Sequence, residues 1–116
     1  AFSMISPQAA MEEMKKAEVI VVDAGPANFY KEKHIKGAIN MPLAIFDIVY
    51  MMTFTEPEEK AKKVIVYGGT ISKLYDYELA NILMLRGHKD VQVLEGGLSA
   101  WEKKSYPLAE VAKKKK

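Results

Sequence analysis

The sequence predicts an α/β fold in which a parallel sheet lies between layers of helix, and three observations carry that reading. Glu18-Val-Ile-Val-Val-Asp23 and Lys63-Val-Ile-Val-Tyr67 are continuous runs of β-branched residues, the pattern of strands buried on both faces. Helical segments alternate with such strands, which implies right-handed crossovers and helices on both faces of the sheet. The 116 residues, 49% of them hydrophobic, suit one core and leave no room for a second domain. The expected organisation is a single domain over 1–116, with its core at about 6–108 and a basic C-terminal tail at 109–116.

Each element has its own signal. Ser6 is placed to cap a helix that starts at Pro7, where a missing amide donor costs nothing, and Met11, Met14 and Ala17 follow at three-residue spacing, giving a helix to about Lys16. The strand Glu18 to Asp23 is ended by Ala24-Gly25-Pro26. Ala27 to Lys33 reads as one or two helical turns, and His34-Ile-Lys-Gly-Ala-Ile-Asn40 as a turn at Gly37 followed by a short strand, closed by Pro42. Leu43 to Met52 is too densely apolar for a surface strand and predicts a buried helix, while Thr55 to Lys60 resembles a cap and first turn. After the strand Lys63 to Tyr67 and a polar loop, Tyr75 to Arg86 is a helix bearing Leu79, Ile82, Leu83 and Leu85, stopped by Gly87. Val91 to Leu94 is a strand. Glu95-Gly96-Gly97 then turns the chain into a helix from Leu98 to Lys104 that carries Trp101 and is halted by Pro107.

Composition narrows the function classes. Lys and Arg number 17 against 15 Asp and Glu, but four of the cations are Lys113 to Lys116, so the remainder holds 13 against 15 and is net −2. The basicity belongs to the tail, a solvated end with no basic neighbours to extend it into a nucleic-acid or membrane patch, and no nucleic-acid role is expected. Cysteine is absent, which excludes disulfides, thiolate metal sites, iron–sulfur clusters and a persulfide carried on this chain. The longest apolar stretch, Met41 to Met52, contains Pro42 and Asp47 and falls short of the roughly 20 residues of a membrane helix, so a soluble chain without a membrane span is expected. Ala1 in place of Met marks a trimmed start, by signal-peptide removal or by design, and leaves cytoplasmic and exported locations both open.

Val21-Val-Asp23, His34-Ile-Lys-Gly-Ala-Ile-Asn40 with Pro42, Val64-Ile-Val-Tyr67, and Glu95-Gly-Gly97 with Trp101 and Pro107 occur in rhodanese order and spacing. From about Ser6 to Leu108 the chain therefore resembles a single rhodanese-like domain, and the resemblance implies a three-layer α/β/α fold with a central parallel sheet of about five strands. In active members the fourth strand is followed by a loop similar to Tyr-Cys-x-x-Gly-x-Arg-Ser, whose cysteine accepts a sulfur atom from thiosulfate or a similar donor and passes it on. By that resemblance Gly68 takes the cysteine's place, Ile71 the glycine's, Lys73 the arginine's and Leu74 the serine's. The common Asp-x-Arg after the first strand is here Asp23-Ala24-Gly25.

Glycine offers no nucleophile, so the resemblance implies a catalytically inactive homologue. The loop amides of Gly68, Gly69, Thr70, Ile71, Ser72 and Lys73, ahead of a helix and beside the Lys73 ammonium, are expected to form an anion cradle, with space released by the lost side chain. Sulfate, phosphate, thiosulfate, or an anionic or cysteine-bearing segment of a protein partner are the expected occupants, and a vestigial loop binding only buffer ions stands beside that reading. The alternatives are a sulfurtransferase whose cysteine is absent from this chain or was removed by design, an enzyme of different chemistry, and a docking domain with an apolar patch away from the loop.

Remaining polar residues receive modest roles. Thr70 and Ser72 hydroxyls would need a base as nucleophiles, and with only His34 and His88 in the chain, loop hydrogen bonding is expected instead. Asp23 is expected to organise neighbouring loops, and His34, Gly37, Glu95, Gly96, Gly97 and Trp101 to be structural, with Trp101 in the core. His88, in a connecting turn after Gly87, is expected in solvent. Tyr75 and Tyr77 stand either at the pocket mouth or against the core. Met41, Met51 and Met52 serve as gap-fillers or as an adaptable surface, and Met51-Met52 with Phe54 is the patch to inspect for exposure. No cofactor and no metal site are expected.

Overall fold

The structure is a computed structural model that describes residues 2–110. Its centre is a sheet of five parallel strands: β1 (Ser3–Ile5), β2 (Val19–Asp23), β4 (Ile39–Asn40), β5 (Lys63–Tyr67) and β6 (Asp90–Leu94), in the spatial order β1-β6-β5-β2-β4. A two-stranded antiparallel ribbon pairs β3 (Lys33–Ile35) with β7 (Leu108–Glu110). The helices are α1 (Pro7–Lys16), α2 (Ala27–Glu32), α3 (Phe46–Thr53), α4 (Tyr75–Leu85) and α5 (Gly97–Lys103), with 3-10 turns at Leu43–Ile45 and Pro57–Ala61.

The central strands bury both faces, as their composition predicts. Val22, Val64, Val66, Val91 and Val93 face Phe46, Tyr50, Leu79, Ala80 and Leu83 of α3 and α4. The alternating residues Val21, Ile65, Tyr67 and Leu94 face Ala10 of α1 and Trp101 of α5 on the other side. The pleat sends successive side chains to opposite layers, so every residue of such a strand must be apolar or hydrogen-bonded. Ser6 caps α1 through its hydroxyl, which accepts the Ala9 amide at 3.1 Å. Trp101 donates its indole N–H to the Pro107 carbonyl at 2.9 Å, which fixes the chain where it leaves α5.

Several expectations need correction. The stretch from Leu43 to Met52 is not one buried helix: a 3-10 turn precedes α3, and α3 buries only Phe46 and Tyr50, one turn apart on the same side. Ile48, Met51 and Met52 are 65%, 71% and 75% exposed, and Leu85 at the end of α4 also faces solvent. Phe54 is half-buried, so the expected patch consists of the two methionines without it. His88 is not in solvent but 2% exposed, its Nε2 2.8 Å from the Tyr50 hydroxyl. Strand structure begins at Ser3 and continues to Glu110, because β1 adds to β6 and β7 to β3. Residues 111–116 of the expected tail lie outside the described residues.

Candidate functional site

Strands β2 and β5 pair from Val19↔Lys63 to Asp23↔Tyr67, so Asp23 and Tyr67 end side by side at the carboxyl edge of the sheet, where α/β folds place their ligands. Asp23 is 4% exposed and is built into a tight turn: Oδ1 accepts the Gly25 amide at 2.8 Å. The backbone around it is held by four further bonds. Ala24 donates to the Tyr67 carbonyl at 2.7 Å, Met41 to the Asp23 carbonyl at 2.8 Å, and Asn40 Nδ2 to the carbonyls of Asp23 and Gly25, each at 3.0 Å. The Tyr67 hydroxyl accepts the Ile35 amide at 2.9 Å and lies near enough to the Asp23 carboxyl to favour its ionised form. Burial raises the Asp23 carboxyl above its ordinary 3.8, opposed by the bonds from Gly25 and Tyr67 and the charge of His34. Burial also raises the Tyr67 phenol, and the neighbouring Asp23 charge adds to it.

The loop that follows Tyr67 turns on Gly68, whose φ is +115°. A β-carbon at that position would stand 2.7 Å from Asp23 Oδ1 and from the Gly25 nitrogen, and 2.8 Å from the Ala24 nitrogen. The space that a cysteine side chain would need is therefore filled by the Asp23–Gly25 turn, and the expectation that glycine leaves room there is corrected. The next residue is equally constrained, since a β-carbon on Gly69 would overlap the Asp76 carboxylate. Thr70 to Lys73 closes on itself: the Thr70 amide donates to the Lys73 carbonyl at 2.7 Å, and the Lys73 amide to Thr70 Oγ1 at 3.0 Å. Two of the amides expected in a cradle are thus spent inside the loop.

Two adjoining hollows flank Gly69 and Thr70. The smaller, about 110 Å³, is lined by Asp23, Gly25, Phe29, Lys33, Tyr67, Gly68, Gly69, Thr70 and Leu98. The larger, about 310 Å³, shares Gly69, Thr70 and Leu98 and adds Met4, Leu74, Asp76, Tyr77, Leu94, Gly96, Gly97 and Ser99. Asp76 sits in the first turn of α4, 7% exposed, and its Oδ1 accepts the Tyr77 amide at 2.9 Å, a favourable place for an anion beside a helix N-terminus. Each hollow thus contains a buried carboxylate. Lys33 is the lysine in the linings, and its ammonium is paired with Glu102 at 2.8 Å.

The structure brings together Asp23, Gly68, Gly69, Thr70, Gly96 and Gly97 of the residues singled out by sequence. Ile71, Ser72 and Lys73 are exposed outside both linings, and the Lys73 ammonium lies 6.0 Å from the centre of the Tyr75 ring. His34 stacks on Tyr30 with ring centres 3.7 Å apart and donates through Nδ1 to the Tyr30 carbonyl at 2.8 Å, a structural placement. Gly37 turns the chain into β4, Glu95 projects to solvent while its amide donates to the Ile5 carbonyl at 2.8 Å, and Trp101 is core. Tyr77, expected either at the mouth or against the core, is at the mouth of the larger hollow, its ring edge against Phe2.

Sequence reasoning missed Asp76, Lys33 and Leu98. Asp76 carried a signal, an acid in the first turn of a helix that follows the loop. Lys33 carried none, because the ribbon that places β3 beside the strand ends has no local pattern, and Leu98 stands in a helix whose start was legible but whose place beside the loop was not. Among the described residues no group of three or more His, Asp and Glu is arranged to hold a metal ion, and no helix is long and apolar enough to cross a membrane.

Comparison with known proteins agrees with this architecture. The sequence profile of the rhodanese-like domain matches residues 6–104. A thiosulfate sulfurtransferase, GlpE, from Coxiella burnetii is 28% identical over 112 residues, which is 97% of each chain. Another from Pseudoalteromonas translucida is 29% identical over 102 residues, 88% of this chain and 90% of that one. The solution structure of a rhodanese-like domain from Anabaena sp. superposes with a TM-score of 0.78 at 20% identity, covering 99% of this chain and 85% of that domain.

Proposed function

The chain belongs to the rhodanese-like domain family, and from that premise we propose that it is a member without sulfur-transfer activity whose cleft serves as a binding or regulatory site. The observation that carries this reading is the backbone at Gly68. A sulfur relay needs a thiolate that can take a sulfur atom as a persulfide, and the chain holds no cysteine. Simple loss of the side chain would leave a loop that still accommodates it. Here the φ of +115° and the Asp23 carboxylate beside Gly68 belong to a loop shaped around glycine. The same observation weighs against a sulfurtransferase whose cysteine was removed by design, as do Ile71, Lys73 and Leu74 at the other positions of the signature.

Of the occupants expected from sequence, the buried carboxylates of Asp23 and Asp76 favour a segment of a protein partner over sulfate, phosphate or thiosulfate. An anion in either hollow would meet a buried aspartate at close range, and the Lys73 ammonium lies outside both linings. Each hollow is small and open, the form of a site for one or two side chains of a longer segment.

The test is sulfur transfer from thiosulfate or mercaptopyruvate to cyanide, with the natural chain and with Gly68→Cys. No turnover by either protein is the expected result, and turnover by the natural chain overturns the reading. Sulfate, phosphate and thiosulfate at millimolar concentration are expected to leave the melting temperature unchanged. A rise that Lys73→Ala removes would restore the anion cradle in place of the partner segment.

A further inference from the structure

We propose that the outer face of α3 and α4 is the contact through which two copies of the chain associate about a two-fold axis. This goes beyond the reading of the strand-end cleft, with which the face shares no lining residue.

Surface chemistry is the first argument. A helix against water normally turns a polar stripe outward, yet α3 has Asp47 as its one charged residue and turns Ile48, Met51 and Met52 out. Ile45, 50% exposed, continues this face on the turn before α3, and Leu85, 87% exposed, continues it on α4, one turn along from Ile82. Two open hollows, of about 530 and 360 Å³, lie between these elements; they share Leu43 and Ile82 and so form one groove. The larger is bounded by residues 43–48 and Ile82, the smaller by Leu43, Glu78, Asn81 and Ile82. Ile48 and Leu85 stand beside this groove as ridges. A face that carries both ridge and groove can fill itself when it meets its own copy.

Area and charge choose the occupant. At roughly 30 Å² of apolar surface per methylene-sized group, the exposed parts of Ile45, Ile48, Met51, Met52 and Leu85 present about 400 Å². Each partner of a standard interface contributes about 800 Å², about 57% of it apolar, or about 450 Å². The face therefore supplies most of the apolar area that one side of a stable dimer needs. Asp47 and Arg86 pair at 3.1 Å between α3 and the end of α4, and Arg86 is held over the rings of Phe46 and Tyr50, 4.9 and 4.8 Å from their centres. A two-fold axis normal to the face reverses the direction from Asp47 to Arg86, so acid meets base across the contact and four charges join in one network. A lipid surface is the poorer occupant. Among the described residues the groove lining carries Asp47 and Glu78 and no lysine or arginine, whereas helices that lie on membranes flank their apolar stripe with basic residues.

Sedimentation equilibrium of the full chain, from about 10 µM to about 1 mM, measures the association. The expected result is a single monomer–dimer equilibrium. Ile48→Glu combined with Leu85→Glu, both at exposed side chains, is expected to weaken it at least about tenfold, and so is Asp47→Arg, which sets like charges against each other across the axis. Met52→Glu, at the rim and outside both linings, is expected to change the dissociation constant by no more than about threefold. Each variant is first checked for the natural far-UV circular dichroism and a cooperative urea transition. Amide NMR spectra of the natural chain at the two concentrations need no variant; they are expected to differ at Ile45, Ile48, Ile82 and Leu85 and to agree at Gly69 and Thr70. A monomer at about 1 mM overturns the proposal, and one that sediments with phosphatidylcholine vesicles assigns the face to a lipid surface instead. A dimer that the paired substitutions leave intact overturns it too, as does assembly that runs past the dimer without a plateau.

Discussion

The carboxylate of Asp23 occupies the space that a side chain on Gly68 would need: a β-carbon there would stand 2.7 Å from Oδ1. The two residues lie at the ends of neighbouring parallel strands, and the turn Asp23-Ala24-Gly25 closes over the start of the loop. In place of the Asp-x-Arg common in the family, this chain has Gly25 packed within 3.1 Å of the Gly68 carbonyl, measured from the position of a β-carbon on Gly25. The changes at 25 and 68 are thus parts of one local rearrangement, although 43 residues separate them in sequence.

Gly68→Cys is accordingly expected to destabilise the fold and not to create a sulfurtransferase. A non-glycine residue at this φ and the overlap with the turn cost about 1–3 kcal/mol. Urea unfolding measures this, and a thiol titration of the folded variant reports whether the new sulfur is accessible. Stability equal to that of the natural chain, with a reactive thiol, would mean that the loop relaxes freely around a side chain.

Tyr67→Phe removes a hydroxyl that accepts the Ile35 amide and favours the ionised form of Asp23. The change leaves a buried amide without its acceptor, at a cost of about 1–3 kcal/mol. It also removes one of the influences that hold the Asp23 carboxyl down, so that carboxyl is expected to titrate at a higher pH in the variant than in the natural chain. Carbon NMR of the Asp23 side chain across the acid range gives the comparison, and unfolding in urea gives the stability.

His88 links stability to pH. Burial lowers its ionisation below the ordinary 6.5, and the Lys60 charge adds to this, while Nδ1 has no hydrogen-bond partner among the described residues. The folded imidazole stays neutral where the unfolded one takes up a proton, so the unfolded state binds more protons as pH falls below 6.5. Stability is therefore expected to be full above 6.5 and to decline below it, until the folded histidine itself is protonated. The urea midpoint of the natural chain should fall from pH 7.5 to pH 5, and His88→Gln should remove part of that slope. Asp23, whose carboxyl is raised, acts in the opposite sense above 3.8, and the comparison of the natural chain with His88→Gln isolates the histidine because Asp23 is common to both.

The legible parts of this fold were those in which burial imposes a local pattern. Strands β2 and β5 are buried on two faces and show it residue by residue; α1 announces itself with Ser6-Pro7, and the Glu-Gly-Gly-x-x-x-Trp block carries the family resemblance that marks Trp101 as structural. Strands β1, β3 and β7, at three residues each, were invisible because their partners lie far away in sequence and supply the pairing. His88 misled because Gly87 signals a turn and turns are usually wet, whereas Tyr50 and Phe54 of a distant segment cover this one. At the site, the missing cysteine could be read directly. The charge of the cleft could not, since Asp76 enters it through the turn of a helix and Lys73 leaves it through the Thr70–Lys73 bonds.

The exposed side of α3 gives the last contrast. Density of apolar residues suggested a buried helix, but only Phe46 and Tyr50 enter the core, and Ile48 and Met52, four residues apart, lie on the solvent side. Met52→Glu exchanges one exposed side chain for another and is expected to change stability by no more than about 0.5 kcal/mol. Leu83→Ala, on the fully buried face of α4 against Val64 and Val91, opens a cavity and is expected to cost about 2–5 kcal/mol. Urea unfolding of the two variants side by side tests the assignment of faces. A large loss at Met52 would show that this side of α3 is covered, and would make α3 rather than the strand ends the first place to look for a partner.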